Sequence, residues 1–486
     1  MTHDPAALYN AYASRDPRFD GVFFVGVTST GIYCRPVCTA RTPKEENCRF
    51  FPSAAAAERA DFRPCLRCRP ELAPGLAPVD GARRVASRIA CRIGEGMLDD
   101  GARLEQIAAE FHMSPRQLRR VVRRELGVSP MELVLTRRLL LAKQLLTETA
   151  LPVIEIAYSS GFSSLRRFND AFRGRYGMPP TRLRKKAATA GDPGDSETLT
   201  LQMSYRPPFD WPGLLDFLDE RALGGVESVA EGAYSRTVKL GGQTGWIRLG
   251  RVPGKSALRV ELSHSLAPVL PALLGRLKHL FDLSARPDLI AEHLGRDERL
   301  EAAVRRNPGL RVPGAFDGFE LAVRAVLGQQ VTVKGATTLA GRFVQAFGEP
   351  VRTPLPELTR LSPTPERVAV AGVGEVTALG VVRSRARSII ALAGEVASGR
   401  LRLVPGADPD ATIAQLLALP GIGPWTAQYV AMRALRWPDA FPKEDVALRR
   451  RLGCASAAEA DALSRAWRPW RSYATLHLWR SPVPQA

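Results

Sequence analysis

The sequence predicts a multidomain protein, mainly α, in which a small four-cysteine zinc module comes first and an α+β tract divides two helical regions. Three observations carry this. The chain has 486 residues, enough for three or four domains with cores of their own. Two close cysteine pairs lie near the N-terminus, and residues 199–305 read as strands among otherwise helical patterns.

Composition bounds the partners. Sixty-eight Lys and Arg against 49 Asp and Glu leave a net charge of +19, a field for polyanions and for nucleic acid first. Charge alone does not separate DNA, RNA and an anionic membrane. No apolar run is long enough to span a bilayer, and MTHDPAALYN is no secretory signal, so a soluble intracellular protein is expected. In such a chain seven cysteines argue against a disulfide framework, and clustered ones read as metal ligands.

Residues 1–78 hold the cluster. Cys34 and Cys38 lie in GIYCRPVCTAR, Cys65 and Cys68 in FRPCLRCRP. Four thiolates so paired favour a tetrahedral zinc site, while Cys48 and Cys91 fit neither pair and read as packing residues. TSTGIYCRPVCTAR with FRPCLRCRP resembles the N-terminal domain of the Ada-type alkylation-response regulators. The resemblance implies that Cys34 takes a methyl group from a methylated DNA phosphate. Methylation would reduce the charge of the site from −2 to −1 and raise affinity for DNA. Arg35, Arg41, Arg63, Arg67 and Arg69 crowd the ligands and are expected to offer phosphate contacts. A purely structural zinc module is the competing reading.

Residues 79–186 read as helical, and 21 Lys and Arg against 11 Asp and Glu place +10 of the charge there. IAAEFHMSPRQLRRVVRRELGVSP and IAYSSGFSSLRRFNDAFRGRYGMPP are two copies of one pattern: helix, turn, serine cap, Arg-rich helix, glycine. Ser114 before Pro115, and Ser163 or Ser164, are the expected caps; Gly127 and Gly177 are the expected stops. Two helix-turn-helix units so spaced could set Arg116, Arg119, Arg120 and Arg166, Arg167 in successive major grooves, though any one arginine is as well explained by phosphate contact or solvent. The arrangement resembles the AraC-type DNA-binding domain. A small, polar linker, centred on KKAATAGDPGDS, is expected over 187–198.

In 199–305, LTLQMSY, YSRTVKL, TGWIRLG and LRVELS read as strands with GGQTG as a hairpin turn. Helices are expected over Leu214–Leu223 and Val269–Phe281. LQMSYRPPFDWPGLLDFL resembles the opening of the AlkA-type alkylpurine glycosylases.

Residues 306–486 read as an all-α domain. Leu419-Pro420-Gly421-Ile422-Gly423 is a glycine turn between two helices, and its amides and the following helix N-terminus can approach a phosphate. An ordinary helical hairpin would look the same. LPGIGPWTA, followed by a Pro-rich loop that ends at Asp445, resembles the helix-hairpin-helix DNA glycosylase superfamily. The resemblance makes Asp445 the catalytic carboxylate, and Gly421, Ile422, Gly423 and Thr426 the hairpin's grip on the DNA backbone, with an alkali-metal ion there. Trp425 stands where bifunctional members carry a nucleophilic lysine, so base excision without strand cleavage is expected. Cys454 stands alone, so no iron–sulfur cluster is expected. VRAVLGQQVT, which again resembles AlkA-type enzymes, places Gln330 at the position of the helix wedge. Trp425, Tyr429, Trp479 and Phe217 are the expected walls of a pocket that holds a cationic alkylated purine by stacking and cation–π attraction. For rings at helical spacing, core packing is the alternative.

The expected whole is a regulator and repair enzyme of alkylation damage. It flips N3- or N7-alkylated purines out of double-stranded DNA and hydrolyses the glycosidic bond, with one zinc ion. It acts as a monomer in a bacterial-type cytoplasm, with RNA polymerase as protein partner and no membrane. No PCHR segment is present, so direct guanine repair is not expected. The rival is a transcription regulator with a catalytically silent glycosylase half.

Overall fold

The computed structural model describes residues 5–15, 19–20, 23–52, 54–70, 81–94, 104–111, 113–185 and 197–481. The chain divides into two compact units, Met1–Ile93 with Ala102–Val134, and Gly94–Gly101 with Leu135–Ala486. The expected linker lies, as far as residue 196, outside the described residues.

In the first unit a helix, Pro5–Ala13, accompanies a four-stranded sheet of order β3-β1-β2-β4, with β1 Phe24–Val27, β2 Ile32–Cys34, β3 Cys48–Phe51 and β4 Arg63–Pro64. Leu8, Tyr12, Phe23 and Val25 form one small core; Tyr33, Ala57 and Phe62 form another. Strands β2 and β4 run parallel with Tyr33 opposite Pro64, so the next residue of each, Cys34 and Cys65, leaves the ladder beside the other. The first Arg-rich helix, Pro115–Leu126, begins as expected. Ser114 accepts the Gln117 N–H while the Gln117 side chain accepts the Ser114 N–H, and Gly127 closes the helix in left-handed conformation.

The second copy belongs to the other unit. Its helix Leu165–Tyr176 is capped by Ser164, not Ser163, and ends at Gly177, with Phe168 and Phe172 fully buried. Its core is continuous with that of a five-stranded antiparallel sheet of order β5-β9-β8-β7-β6. The strands are β5 Thr198–Ser204, β6 Glu227–Ala230, β7 Ala233–Leu240, β8 Gln243–Arg251 and β9 Ala257–Ser263. The short edge strand β6 is an addition to the expected four: ESVA has no alternating pattern, and pairing to β7 alone makes it a strand.

A buried ionic network locks this sheet to the helical region. Glu227 of β6 accepts from Tyr234 at 2.5 Å and from Arg324 at 3.0 Å, and Arg236 of β7 donates to Glu320 at 2.8 Å. Glu320 and Arg324 sit one turn apart on the helix Gly318–Leu327. Each buried charge has an opposite partner, which offsets its desolvation. The network therefore fixes the helix whose end carries Gln329 and Gln330.

Candidate active site and metal centre

The glycine turn joins the helices Pro409–Leu417 and Pro424–Arg433. Gly421 has φ +72°, and a Cβ there would lie 2.4 Å from Ser388 Oγ, so both conformation and space require glycine. Gln329, which the sequence reading did not single out, braces the turn: its amide donates to the Gly421 carbonyl at 2.9 Å and to Thr426 Oγ1 at 3.1 Å. The side chains of Ile422 and Thr426 are buried, so they anchor the turn, while Gly421 is exposed. Gln330 follows Gln329 in left-handed conformation (φ +54°) with its side chain in solvent, next to exposed Val331.

Asp445 is half-buried and its carboxylate is held from three directions. Oδ2 accepts the indole N–H of Trp425 at 2.8 Å. Oδ1 accepts the Leu448 N–H at 2.7 Å, capping the helix Val446–Leu452, and the indole N–H of Trp479 at 3.3 Å. The same carboxylate borders a cavity of about 610 Å³, into which Trp425, Tyr429, Trp479 and Phe217 also face. The four rings named from sequence are thus brought together with the acid.

Their arrangement is more specific than a ring of equal walls. Trp425 and Tyr429 stack on each other, 5.2 Å apart and 9° from parallel, and so form one two-ring wall. Phe217 carries the guanidinium of Arg221 at 4.0 Å and that of Arg433 at 5.0 Å from its ring centre. Arg433 is buried, donates to the Pro313 carbonyl at 2.8 Å, and reaches the Tyr429 hydroxyl at 2.6 Å. Burial would raise the Tyr429 pKa, but Arg433 and Arg221 outweigh it and hold the phenol below its ordinary value. The arginines of the floor were missed from sequence; the one local signal is that Arg433 stands four residues after Tyr429 on the same helix.

In the other unit Cys34, Cys38, Cys65 and Cys68 are all buried, with their sulfurs within 4.8 Å of one another. The Ala40 and Arg35 N–H groups point at the sulfurs of Cys38 and Cys68, at 3.5 and 3.4 Å. Four converging buried sulfurs fit a tetrahedral Zn²⁺ and nothing harder. Cys48 is half-buried and packs on the neighbouring core; the side chain of Cys91 lies outside the described residues.

One expectation is corrected here. Arg35 is 1% exposed and is ion-paired with Asp20, so it is a structural cation and offers nothing to a phosphate. Arg41, Arg63, Arg67 and Arg69 are exposed. Arg116, Arg119, Arg120, Arg166 and Arg167 are all on solvent faces, opposite Leu118 and Val122 in one copy and Phe168 and Phe172 in the other. Among the described residues no helix is long and apolar enough to cross a membrane.

Comparison with known proteins follows the same order along the chain. Residues 7–71 match the metal binding domain of Ada, and 107–186 a helix-turn-helix domain. Residues 200–317 match the AlkA N-terminal domain, and 323–468 the HhH-GPD superfamily of base excision DNA repair proteins. The "Probable bifunctional transcriptional activator/DNA repair enzyme AlkA" of Mycobacterium tuberculosis is 41% identical over 100% of this chain and 98% of its own length. DNA-3-methyladenine glycosylase 2 of Escherichia coli is 37% identical over 57% of this chain and 95% of its own. The solved 3-methyladenine DNA glycosylase of Archaeoglobus fulgidus shares the fold of the second half, with TM-score 0.50 at 22% identity, over 57% of this chain and 96% of that one. A whole-length match at this identity, with four domain families matched in turn along this chain, establishes that the chain belongs to the family of bifunctional transcriptional activators and DNA repair enzymes of the AlkA type.

Proposed function

We propose that this chain excises alkylated purines from double-stranded DNA at Asp445 and senses methylated DNA phosphates at Cys34. The observation that carries the first part is a carboxylate fixed by two indole N–H groups and a helix N-terminus at the edge of an aromatic cavity. The exposed glycine turn grips the backbone of the damaged strand, where the hairpin backbone would also hold an alkali-metal ion, and Gln330 enters the gap left by the flipped nucleotide. The base lies along the Trp425–Tyr429 wall with Trp479 beside it.

As the glycosidic bond lengthens, the electron pair goes to the base, which its alkyl-induced positive charge makes a good leaving group. Positive charge develops on the sugar, and Asp445 stabilises it and orients the attacking water. Its oxygens need no reorganisation, since three donors already hold them. Trp425 offers no amine for a covalent sugar adduct, so the strand stays intact, and with Cys454 standing alone in the sequence near the C-terminus no iron–sulfur cluster takes part. Release of 3-methyladenine from methylated DNA by wild type and Asp445→Asn tests this; equal, negligible release from both would leave the regulator reading in its place.

At the other centre Cys34, Cys38, Cys65 and Cys68 hold Zn²⁺, which when bound keeps their sulfurs deprotonated. The N–H donors on Cys38 and Cys68 dampen those sulfurs relative to Cys34. Cys34 Sγ attacks the methyl carbon of a phosphotriester; the S–C bond forms as the C–O bond breaks, and the electron pair stays on the phosphodiester oxygen. The methylated protein, a monomer with division near 78, 186, 198 and 305, then binds its operator through Arg116, Arg119, Arg120, Arg166 and Arg167. There it recruits RNA polymerase in the bacterial cytoplasm. Cys34→Ala taking up as much labelled methyl as wild type would contradict the sensor assignment.

A further inference from the structure

The helix Pro424–Arg433 walls two cavities. Trp425, Tyr429 and Arg433 face the one beside Asp445, while Met432 faces a second, of about 210 Å³. The second cavity takes its polar groups from His279, Asp282 and Arg436, with Ser284, Ser472 and an Arg286 that is ion-paired with Asp288, and its rings from Trp437, Trp470 and Tyr473. None of these belongs to the excision chemistry.

His279 is 4% exposed and its Nε2 accepts the Ala315 N–H at 3.3 Å, so the proton of the neutral ring is on Nδ1. That Nδ1 is buried and forms no well-aligned hydrogen bond, although the ring lies against the Arg433 backbone. A donor so placed in a polar cavity calls for a ligand atom or water to complete it. Asp282 is 3% exposed, and its Oδ2 accepts the Tyr473 hydroxyl at 2.6 Å while Oδ1 stands 3.9 Å from Arg436. Asp282 and Arg436 both adopt left-handed backbone conformations, φ +47° and +59°, which non-glycine residues rarely take outside functional or tightly determined positions.

The chemistry selects the occupant. Asp282 disfavours an anion, and Arg436 with nearby Arg311 disfavours a cation. A neutral ligand needs an acceptor for the His279 Nδ1–H and the Arg436 guanidinium, a donor for Asp282 Oδ1, and flat faces for the indoles of Trp437 and Trp470. The volume is below the ~300–1,000 Å³ of sites for drug-sized molecules and suits a single ring system.

We propose that this cavity is a second binding site, for one free purine base, whose edge presents an N–H donor beside a ring-nitrogen or carbonyl acceptor. The excision reading supplies the source of such a base; the site itself rests on the residues that line it.

The test is titration calorimetry of the full chain with adenine and, separately, hypoxanthine. Two bases per chain are expected. Ser284→Trp, at the exposed mouth of the second cavity, should weaken one binding event at least 10-fold and leave excision unchanged, and Arg436→Leu should do the same should the tryptophan variant not fold. Ala336→Trp, in the cavity beside Asp445, should remove only the other event. No binding at all, or no event that Ser284→Trp and Arg436→Leu weaken, overturns the proposal; a single event that both weaken upholds it and places the failure in the cavity beside Asp445. Asp445→Asn removes excision without filling either cavity, so failure of the excision reading leaves this titration unchanged.

Discussion

The sulfurs around Cys34 and the carboxylate of Asp445 are the two centres at which we propose reaction with DNA, yet the protein around them differs in kind. The cysteines lie by strands of two to four residues, beside cores of five and three buried side chains. Such a module lacks the apolar burial to order itself, and the metal must contribute. Asp445 instead stands at the head of a helix among two extended cores, its oxygens fixed by Trp425, Trp479 and Leu448. The lesson is that one centre is ordered by what it binds and the other before it binds anything.

The largest expected effect breaks the first centre alone. Stripping zinc from the full chain with a chelator should unfold residues 5–70, a loss on the scale of ~10 kcal/mol, while the second half keeps its own calorimetric transition. A single transition that moves as a whole would mean that the two centres are not independently ordered. Next comes Asp445→Asn. Excision should fall about 100- to 1,000-fold, while the melting temperature barely moves because asparagine caps a helix as well as aspartate does.

Trp425→Phe keeps the stacked wall but deletes one N–H donor to Asp445. A charge-assisted bond of ~1.5–3 kcal/mol is lost, so about a 10-fold or greater fall in kcat with little change in KM is expected. A rise in KM alone would show that the indole matters as a wall and not as a donor.

The last effect is on acid stability and leaves activity at neutral pH untouched. Burial holds His279 neutral with its pKa pushed down to about 3, against 6.5 when unfolded. The unfolded chain therefore binds the extra proton first. The contribution is whole above pH 6.5 and is lost as pH falls towards 3, at up to ~1.4 kcal/mol per pH unit. Asp282, whose carboxyl burial raises, opposes this at the acid end. Urea titrations of His279→Gln should show a flatter slope in that window, and added zinc should not restore the second half as it restores the first.

What the sequence determined lies within a few residues of itself. Ser114 and Ser164 cap helices by reaching three residues ahead, Gly127 and Gly177 end them, and two close cysteine pairs announce a metal site. The glycine turn with its aspartate some twenty residues on is legible in the same way, because it is one connected stretch of chain. Tertiary structure decided everything that needs a distant partner. It buried Arg35 against Asp20, spread Arg221 and Arg433 over Phe217, and set Gln329 under a turn 92 residues away. It brought Trp479 to Asp445 across 34 residues and left Nδ1 of His279 without a well-aligned hydrogen bond in a second cavity. Hydrogen bonds that cap and turn are set by spacing along the chain, whereas the charge, burial and orientation of a side chain depend on neighbours that only folding supplies.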